Sequence, residues 1–165
     1  MSKHEKALLR KAMRALPPPL EARTAEGEAA AAHVTAWPLF HQAQVVGCYA
    51  SMPGEMDTWP VLRAVLKAGK ALALPRAGEK GVMAFYQVAD LTALIPGRWG
   101  ILEPGEEAPL LPPEALSLLL IPALAVDPFG GRLGQGAGYY DRYLPRTRCP
   151  LAALVLSRQV LPRVP

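Results

Sequence analysis

Residues 116–126 read Leu-Ser-Leu-Leu-Leu-Ile-Pro-Ala-Leu-Ala-Val, which is the most apolar stretch of the chain. A short, continuous apolar run is typical of a strand that is buried on both faces, as the strands of a parallel sheet are. A glycine-rich loop follows it at residues 127–138. The pattern therefore predicts that residues 116–126 form the central strand of a mostly parallel sheet.

Helices and strands alternate on either side of this run. Apolar spacing, helix-start residues and closing glycines predict helices at 3–16, 20–37, 57–69 and from about Tyr139 onwards. Apolar runs predict buried strands at 45–50, 71–75 and 151–156, and the less regular segment 82–88 is predicted to be an edge strand. Residues 96–114 hold five prolines and three glycines and are predicted to be irregular. This alternation predicts an α/β fold with one domain over residues 1–165, a mostly parallel sheet and helices on both faces.

Composition narrows the class of protein. The 165 residues are 51% hydrophobic and 19% charged, which excludes a disordered chain, and two cysteines exclude a disulfide scaffold. No apolar run is long enough for a membrane span, and no signal core follows the charged N-terminus, so we expect a cytoplasmic protein. We also expect a monomer. The net charge of +4 favours an anionic partner without identifying it. The chain stops at Pro165 just after a strand, and we expect its C-terminal end to be truncated.

The first predicted helix carries two different faces. Leu9, Ala12, Met13 and Leu16 share an apolar face at helical spacing. Four basic residues form a neighbouring stripe, namely Lys3, Lys6, Arg10 and Arg14. Without other information, such a stripe is a solvated surface rather than a binding site.

The glycine loop is the strongest functional signal. Gly134, Gly136 and Gly138 alternate after a buried strand and before a helix, so successive backbone N–H groups can turn toward one anion. Arg132 could contact phosphate oxygens, and Asp141 is placed to hold Mg²⁺ beside a substrate phosphate. A purely structural turn is the alternative, since GxxxxGK[ST] is absent and Tyr139 occupies the third glycine position of a dinucleotide fingerprint. Asp127 could equally cap the loop.

The whole string resembles the 5-formyltetrahydrofolate cyclo-ligase family, whose pattern is close to Gly-x-Arg-Leu-Gly-x-Gly-x-Gly-Tyr-Tyr-Asp. Here it stands at residues 130–141, after Pro122-Ala123-Leu124-Ala125-Val126-Asp127. Two further family features occur in order: Lys-x-x-Leu-Arg at 6–10 and the segment Ser-Met-Pro-Gly-Glu-Met-Asp-Thr at 51–58. Ala123 replaces a usual glycine and Val126 a common phenylalanine. The family continues beyond residue 165 with a second aspartate associated with magnesium, which this sequence lacks.

The resemblance implies a fold of the NagB/RpiA/CoA-transferase-like kind and a reaction that uses ATP and Mg²⁺. In that reaction the formyl oxygen of 5-formyltetrahydrofolate is phosphorylated, N10 attacks the activated carbon, and loss of phosphate leaves 5,10-methenyltetrahydrofolate and ADP. Such chemistry needs charge neutralisation and positioning more than a protein nucleophile.

The resemblance also assigns roles to residues. It implies that Arg132 and Lys6 are catalytic and that Asp141 binds the metal. ATP would be bound by Lys6, Arg10, Arg132, Leu133, Gly134, Gln135, Gly136, Ala137, Gly138, Tyr139 and Tyr140. The folate would be bound by Ala50, Glu55, Gln135, Gly136, Ala137, Gly138 and Tyr139, with Glu55 on the pterin.

Two alternatives belong to other classes of function. A sugar-phosphate isomerase on a similar scaffold would need no ATP and would leave the Lys-x-x-Leu-Arg helix without a purpose. A nucleic-acid-binding module would have basic residues interleaved with aromatic residues, whereas the basic residues here are dispersed. We therefore expect a folate substrate and ATP as partners, and neither nucleic acid nor membrane.

Overall fold

The computed structural model describes residues 2–15 and 17–165, so Leu16 of the predicted apolar helix face lies outside the described residues. Within these residues five α-helices occur: α1 Lys3–Ala15, α2 Leu20–Ala36, α3 Pro38–Gln42, α4 Trp59–Lys67 and α5 Tyr139–Tyr143. Three of them lie where the apolar spacing predicted them, and the predicted short helix begins at Tyr139. None of the described helices has the length and apolarity that a membrane crossing requires.

The main sheet has six strands. In chain order the strands of the molecule are β1 Val45–Gly47, β2 Ala71–Ala77, β3 Met83–Val88, β4 Ile95–Pro96, β5 Leu102–Glu103, β6 Leu110–Leu111, β7 Leu118–Pro122, β8 Ala125–Val126, β9 Arg132–Leu133 and β10 Leu151–Leu154. The sheet has the order β10-β7-β1-β2-β3-β6. Strands β10, β7, β1 and β2 are parallel, whereas β3 and β6 are antiparallel to their neighbours. This confirms the expected α/β fold with a mostly parallel sheet.

Three strands lie elsewhere in the sheet than the sequence predicted. The apolar run does not form the central strand, because β7 lies next to the edge and the centre is formed by β1 and β2. The segment 82–88 is not the edge, since β6 pairs outside β3. The two edges are formed by β6 and β10, and β10 was predicted to be buried, whereas its Leu151 is 44% exposed. An apolar run reports that a strand is covered, but the connections between strands decide its neighbours.

Burial on both faces explains why the β7 run is continuously apolar. Side chains alternate along a strand, so Leu118 and Leu120 join one core cluster and Leu119 and Ile121 join the other. The first cluster packs against α2 and α4, and the second includes Tyr143 of α5. Each fully buried leucine of this kind contributes about 1.5–3 kcal/mol relative to an exposed one.

Helix α1 packs against a third, smaller cluster. Its Leu9 and Met13 contact the buried side chains of Leu124, Leu133 and Val164. Because Leu133 directly precedes the glycine loop, this packing holds α1 beside the loop. Leu9 and Met13 of the predicted apolar face are thus partly buried, whereas Ala12 of the same face is exposed.

Helix α4 begins as its sequence predicts. The side chain of Asp57 accepts a hydrogen bond from the N–H of Trp59 at 3.0 Å, and Pro60 lies in the first turn. Thr58 is buried and its backbone N–H bonds to the hydroxyl of Ser51 at 3.0 Å. Gly69 follows the helix with a φ of +74°, a left-handed conformation that glycine adopts easily. These contacts fix the segment between β1 and α4.

Candidate active site

A cavity of about 480 Å³ lies where several strands end. Tyr49 and Ala50 follow β1, Ala77 ends β2, and Pro122 ends β7, and all four line it. The carboxyl ends of parallel strands meet at one edge of a sheet, which is the usual position of ligand sites in α/β folds. The glycine loop and the turn that carries Glu55 both lie on this cavity.

Glycine loop residues 134–138 form one part of the wall. Gly136 and Gly138 have φ values of +106° and +78°, so the loop needs residues without a Cβ at these positions. In the part of the chain that the structure describes, no group accepts a hydrogen bond from the backbone N–H of residues 135, 136 or 138. These donors are therefore available to an anionic ligand.

Two arginines of α1 hold the carbonyl groups of the same loop. The Nε of Arg10 donates to the carbonyl of Gly134 at 2.9 Å. Arg14 donates from Nη2 to both the carbonyl and the side-chain Oε1 of Gln135, each at 2.7 Å. Both arginines also line the cavity, which gives the glycine loop a positively charged border.

Arg132 and Asp141 form an ion pair at the end of the loop. Their closest atoms, Nη2 and Oδ1, are 3.8 Å apart, and the side chain of Asp141 is 85% exposed whereas that of Arg132 is 16% exposed. The Arg132 guanidinium also lies 5.7 Å from the ring centre of Tyr140. At this distance and exposure the ion pair is weak. Either side chain can therefore leave its partner and bind a ligand instead.

Glu55 lies in the turn that follows β1. Its carboxylate accepts a hydrogen bond from the N–H of Met52 at 2.7 Å. Burial raises the pKa of Glu55, while the hydrogen bond from Met52 and the charge of Arg23 act in the opposite direction. Arg23 of α2 donates to the carbonyl groups of Glu55 and Met52 at 2.6 and 3.1 Å, which fixes the turn.

Aromatic side chains cover another part of the wall. Tyr139 and Trp99 both line the cavity, and their rings meet edge to face with centres 6.2 Å apart. Trp99 is 69% exposed and has a φ of +57°, which is uncommon for a residue other than glycine. Burial raises the pKa of both Tyr49 and Tyr140, so these phenols remain neutral near pH 7.

Asp127 has a structural position. It is 9% exposed and accepts hydrogen bonds from the N–H groups of Phe129, Gly131 and Val164 at 2.8–2.9 Å. These bonds, with that from Val164 first, hold the pKa of Asp127 below its usual range. Asp127 therefore caps the turn between β8 and β9, one of the two roles that the sequence allowed.

Comparison with known protein families finds a match over nearly the whole chain. Residues 2–165 match the model of the 5-formyltetrahydrofolate cyclo-ligase family. The chain belongs to this cyclo-ligase family. The 5-formyltetrahydrofolate cyclo-ligase of Escherichia coli (strain K12) is 34% identical over 140 residues, which cover 83% of this chain and 76% of that protein.

Solved structures agree with the family. The 5,10-methenyltetrahydrofolate synthetase of Aquifex aeolicus has a TM-score of 0.85 at 33% identity, over 97% of this chain and 82% of that chain. The synthetase of Mycoplasma pneumoniae has a TM-score of 0.74 at 17% identity, over 97% of this chain and 90% of that chain, and shows the same fold. Cyclo-ligases are ligases of folate metabolism, so the predicted family and enzyme class are confirmed.

Most of the residues that the cyclo-ligase resemblance singled out lie together on the cavity. They are Arg10, Ala50, Glu55, Arg132, Gly134, Gln135, Gly136, Ala137, Gly138, Tyr139, Tyr140 and Asp141. Two others do not reach it in the described part of the chain. Lys6 lies half-buried on α1 outside the cavity wall, and the side chain of Leu133 is buried in the cluster beneath α1. The ligand-binding roles of all fourteen residues remain predictions.

The sequence reasoning missed other residues of the wall. Arg14 lies one helical turn after Arg10 on the predicted basic stripe, but the sequence assigned it no role in the site. Trp99, Ile101 and Glu103 come from the segment 96–114, which was predicted to be irregular and whose residues were given no role in the site. Glu103 accepts a hydrogen bond from the N–H of Ala77 at 3.2 Å, which attaches this segment to β2. No pattern within residues 96–114 indicates that contact.

Proposed function

We propose that this chain catalyses the ATP-dependent closure of 5-formyltetrahydrofolate to 5,10-methenyltetrahydrofolate. One observation carries the proposal: a single cavity is lined both by the glycine loop 134–138 with its arginines and by the partly buried carboxylate of Glu55. The loop offers N–H donors and positive charge for phosphates, whereas Glu55 offers acceptors for a ring with N–H groups. A reaction between a nucleotide and a pterin needs both kinds of group in one place.

The nucleotide would lie with its phosphates on the glycine loop. The free N–H groups of residues 135, 136 and 138 would donate to phosphate oxygens. Arg10 and Arg132 line the same part of the cavity and would neutralise the phosphate charge. Arg132 is mostly buried, so its charge is screened less by water than that of an exposed arginine.

Asp141 fits a magnesium ion bound together with the nucleotide. Mg²⁺ usually keeps several waters and takes one or two carboxylates beside substrate phosphates. Asp141 is the exposed carboxylate of the wall, whereas Glu55 and Glu103 accept backbone hydrogen bonds. Residues 2–15 and 17–165 contain no group of three or more metal-ligating side chains, so phosphate oxygens and water would complete the shell. Bound there, the ion would neutralise charge on the transferring phosphate.

The folate would lie with its pterin ring near Glu55. The carboxylate is held by Met52 on one oxygen, and its other acceptor positions can receive ring N–H and amino groups. Ala50, Tyr139 and Tyr140 line the same cavity, and the two aromatic side chains would pack against a flat ring. Burial of Glu55 strengthens these hydrogen bonds because water competes less there.

The reaction follows from bringing the two ligands together. The formyl oxygen of the folate attacks the γ-phosphorus, the bond to the β-phosphate oxygen breaks, and ADP leaves. N10 then attacks the activated formyl carbon and loses its proton, and the C–O bond breaks to release phosphate. No protein nucleophile is used, which agrees with Cys48, whose burial raises its pKa to about 12.

The direct test mixes the purified chain with Mg²⁺, ATP and 5-formyltetrahydrofolate. The near-ultraviolet absorption band of the conjugated methenyl product should rise, with one ADP and one phosphate released per product formed. Omission of ATP should abolish the band. No product, or product at the same rate without ATP, contradicts the proposal.

A further inference from the structure

Arg142 of α5 connects the glycine loop to a distant turn. Its Nη2 donates to the carbonyl of Ala137 at 2.7 Å, and its Nε donates to the carbonyl of Gly81 at 3.0 Å. Its guanidinium also lies 5.6 Å from the ring centre of Tyr139. Gly81 precedes β3, so one side chain joins the turn between β2 and β3 to the loop that lines the cavity.

Two glycines leave the space that this side chain occupies. A Cβ on Gly81 would lie 2.1 Å from Nη2 of Arg142, and a Cβ on Gly138 would lie 2.6 Å from Nη1. Both glycines also have positive φ values, of +73° and +78°. A residue with a Cβ at position 81 or 138 would therefore displace the end of the arginine side chain as well as strain the backbone.

The geometry of the peptide bond gives this contact a direction. In a trans peptide the C=O and the next N–H point in opposite directions. Because the carbonyl of Ala137 points to Arg142, the N–H of Gly138 points away from it. Among the described residues the cavity wall includes Ala137 and Gly138 but not Arg142, so the arginine lies behind the loop.

We propose that Arg142 is a positioning residue that turns the Gly138 N–H toward the bound phosphates. It touches neither ligand and acts through the glycine loop and the Gly81 turn. This inference rests on the proposed function, because it assumes that the loop binds the phosphates of a nucleotide.

The test compares three single variants by calorimetric titration with ADP and, separately, with 5-formyltetrahydrofolate. Arg142→Ala removes the donors, and Gly81→Ala displaces them from a residue outside the cavity. Gly69→Ala is the matched control, because Gly69 has a φ of +74° and a Cβ there would meet nothing within 4 Å. Gly81→Ala and Gly69→Ala both place an alanine at a positive φ, so the two variants should lower the melting temperature to a similar extent.

Arg142→Ala and Gly81→Ala should each raise the Kd for ADP about fivefold. A change of this size is expected when one or two partly exposed hydrogen bonds are lost. Folate affinity should stay within about twofold, and Gly69→Ala should change neither Kd. The double variant with both changes should bind ADP no more weakly than Arg142→Ala, because the steric conflict is then gone.

Three results would overturn the inference. The first is unchanged ADP affinity in Arg142→Ala, and the second is an equal loss of both ligands. The third is a loss of ADP affinity in Gly69→Ala as large as that in Gly81→Ala. That result would mean that lower stability of the fold, and not the displaced arginine, weakens ADP binding. A failure of the proposed function is recognised separately, since the unmodified chain would then bind no ADP.

Discussion

Glu55 shows how the surroundings of one residue set its chemistry. Its pKa is raised by burial, although Met52 donates a hydrogen bond to its carboxylate. The sequence offered Glu55 as a candidate through the motif at 51–58, but burial depends on the turn that Arg23 holds. A residue type can be predicted from a motif, whereas its protonation depends on tertiary contacts.

The raised pKa predicts how stability changes with pH. Protonated Glu55 favours the folded chain, so its contribution to stability is fully present below the ordinary value of 4.5 and is lost as the pH rises through the raised pKa. Glu55→Gln does not titrate, so its free energy of unfolding relative to wild type should rise from pH 4 to neutral. Urea unfolding across this pH range checks the trend.

Asp90→Asn serves as a contrast for this measurement. Hydrogen bonds from the side chain and backbone of Thr92 lower the pKa of Asp90, so its contribution is present at neutral pH and lost in acid. The stability of Asp90→Asn relative to wild type should therefore fall as the pH rises through the region around and below 3.8, so this series extends below pH 4. The same trend in both variants would contradict the assignment of Glu55.

Gly136 tests the phosphate loop at one backbone position. Its φ of +106° is unfavourable for valine, and a Cβ would lie 3.5 Å from Nε of Arg10. Gly136→Val should weaken ATP binding by more than about tenfold, which is about 1.4 kcal/mol. Gly130→Val is the control, because Gly130 has a φ of +88° in open space outside the cavity. Equal ATP affinity in Gly136→Val and wild type would exclude the phosphate-loop interpretation.

Among the elements, α1 joins packing to function. Leu9 and Met13 of its apolar face are partly buried beside the loop, and Arg10 and Arg14 of its basic stripe thereby reach the carbonyls of Gly134 and Gln135. The sequence predicted both faces of this helix, but the stripe alone could not be distinguished from a solvated surface. Packing of the opposite face is what brings the arginines to the loop.

The stripe of α1 is expected to contribute unequally to binding. Arg10→Ala should weaken ATP binding by about 1.5–3 kcal/mol, since a charged hydrogen bond to the loop and charge near the phosphates are both lost. Arg14→Ala should have a smaller effect, because Arg14 is exposed. Titration of Lys6→Ala tests whether a lysine outside the cavity wall contributes.

Lys3→Ala and Lys11→Ala are the controls on the same helix and should change ATP affinity little. Both side chains are exposed, and neither lines the cavity in the described part of the chain. Equal losses at all of these positions would instead indicate a diffuse electrostatic surface.

The strands show where sequence reasoning reaches its limit. The single run predicted at 116–126 is two strands, because Pro122 ends β7 and Ala125–Val126 pairs with β9 instead. Proline lacks the N–H that a continuing ladder needs, so the division is visible in the sequence in hindsight. The order of the strands is not visible in the sequence, because it depends on how the connecting segments cross the sheet.

At the scale of the whole molecule, one cavity collects residues from distant parts of the chain. The glycine loop was predictable because its residues are contiguous and carry a specific motif. The part formed by Trp99, Ile101 and Glu103 was not, because Trp99 takes a positive φ in an irregular segment and Glu103 attaches to β2 through one hydrogen bond. The part of a site that a short motif forms can thus be predicted from the sequence, whereas the segments that complete the site cannot.

Two carboxylates of the cavity should affect different ligands. Glu55→Gln replaces an acceptor with a donor and should weaken 5-formyltetrahydrofolate binding by a few kcal/mol at most, with little effect on ATP. Asp141→Asn removes an anionic metal ligand and should raise the Mg²⁺ concentration needed for activity, with folate affinity nearly unchanged. Titrations with each ligand, and with ATP across a magnesium series, separate the two effects. The reverse pattern would show that the two roles are assigned wrongly.

The central claim is that one cavity binds both substrates, and amide chemical shifts of the isotope-labelled chain test it most directly. Addition of 5-formyltetrahydrofolate alone should shift the amide signals of residues 49–55. Addition of ADP with Mg²⁺ alone should shift those of residues 134–138. Signals from the groove around Ala30, His33 and Leu154 should stay in place with either ligand, because that groove is separate from the cavity. Shifts confined to that groove, or no shifts at residues 134–138 with saturating ADP, would contradict the account.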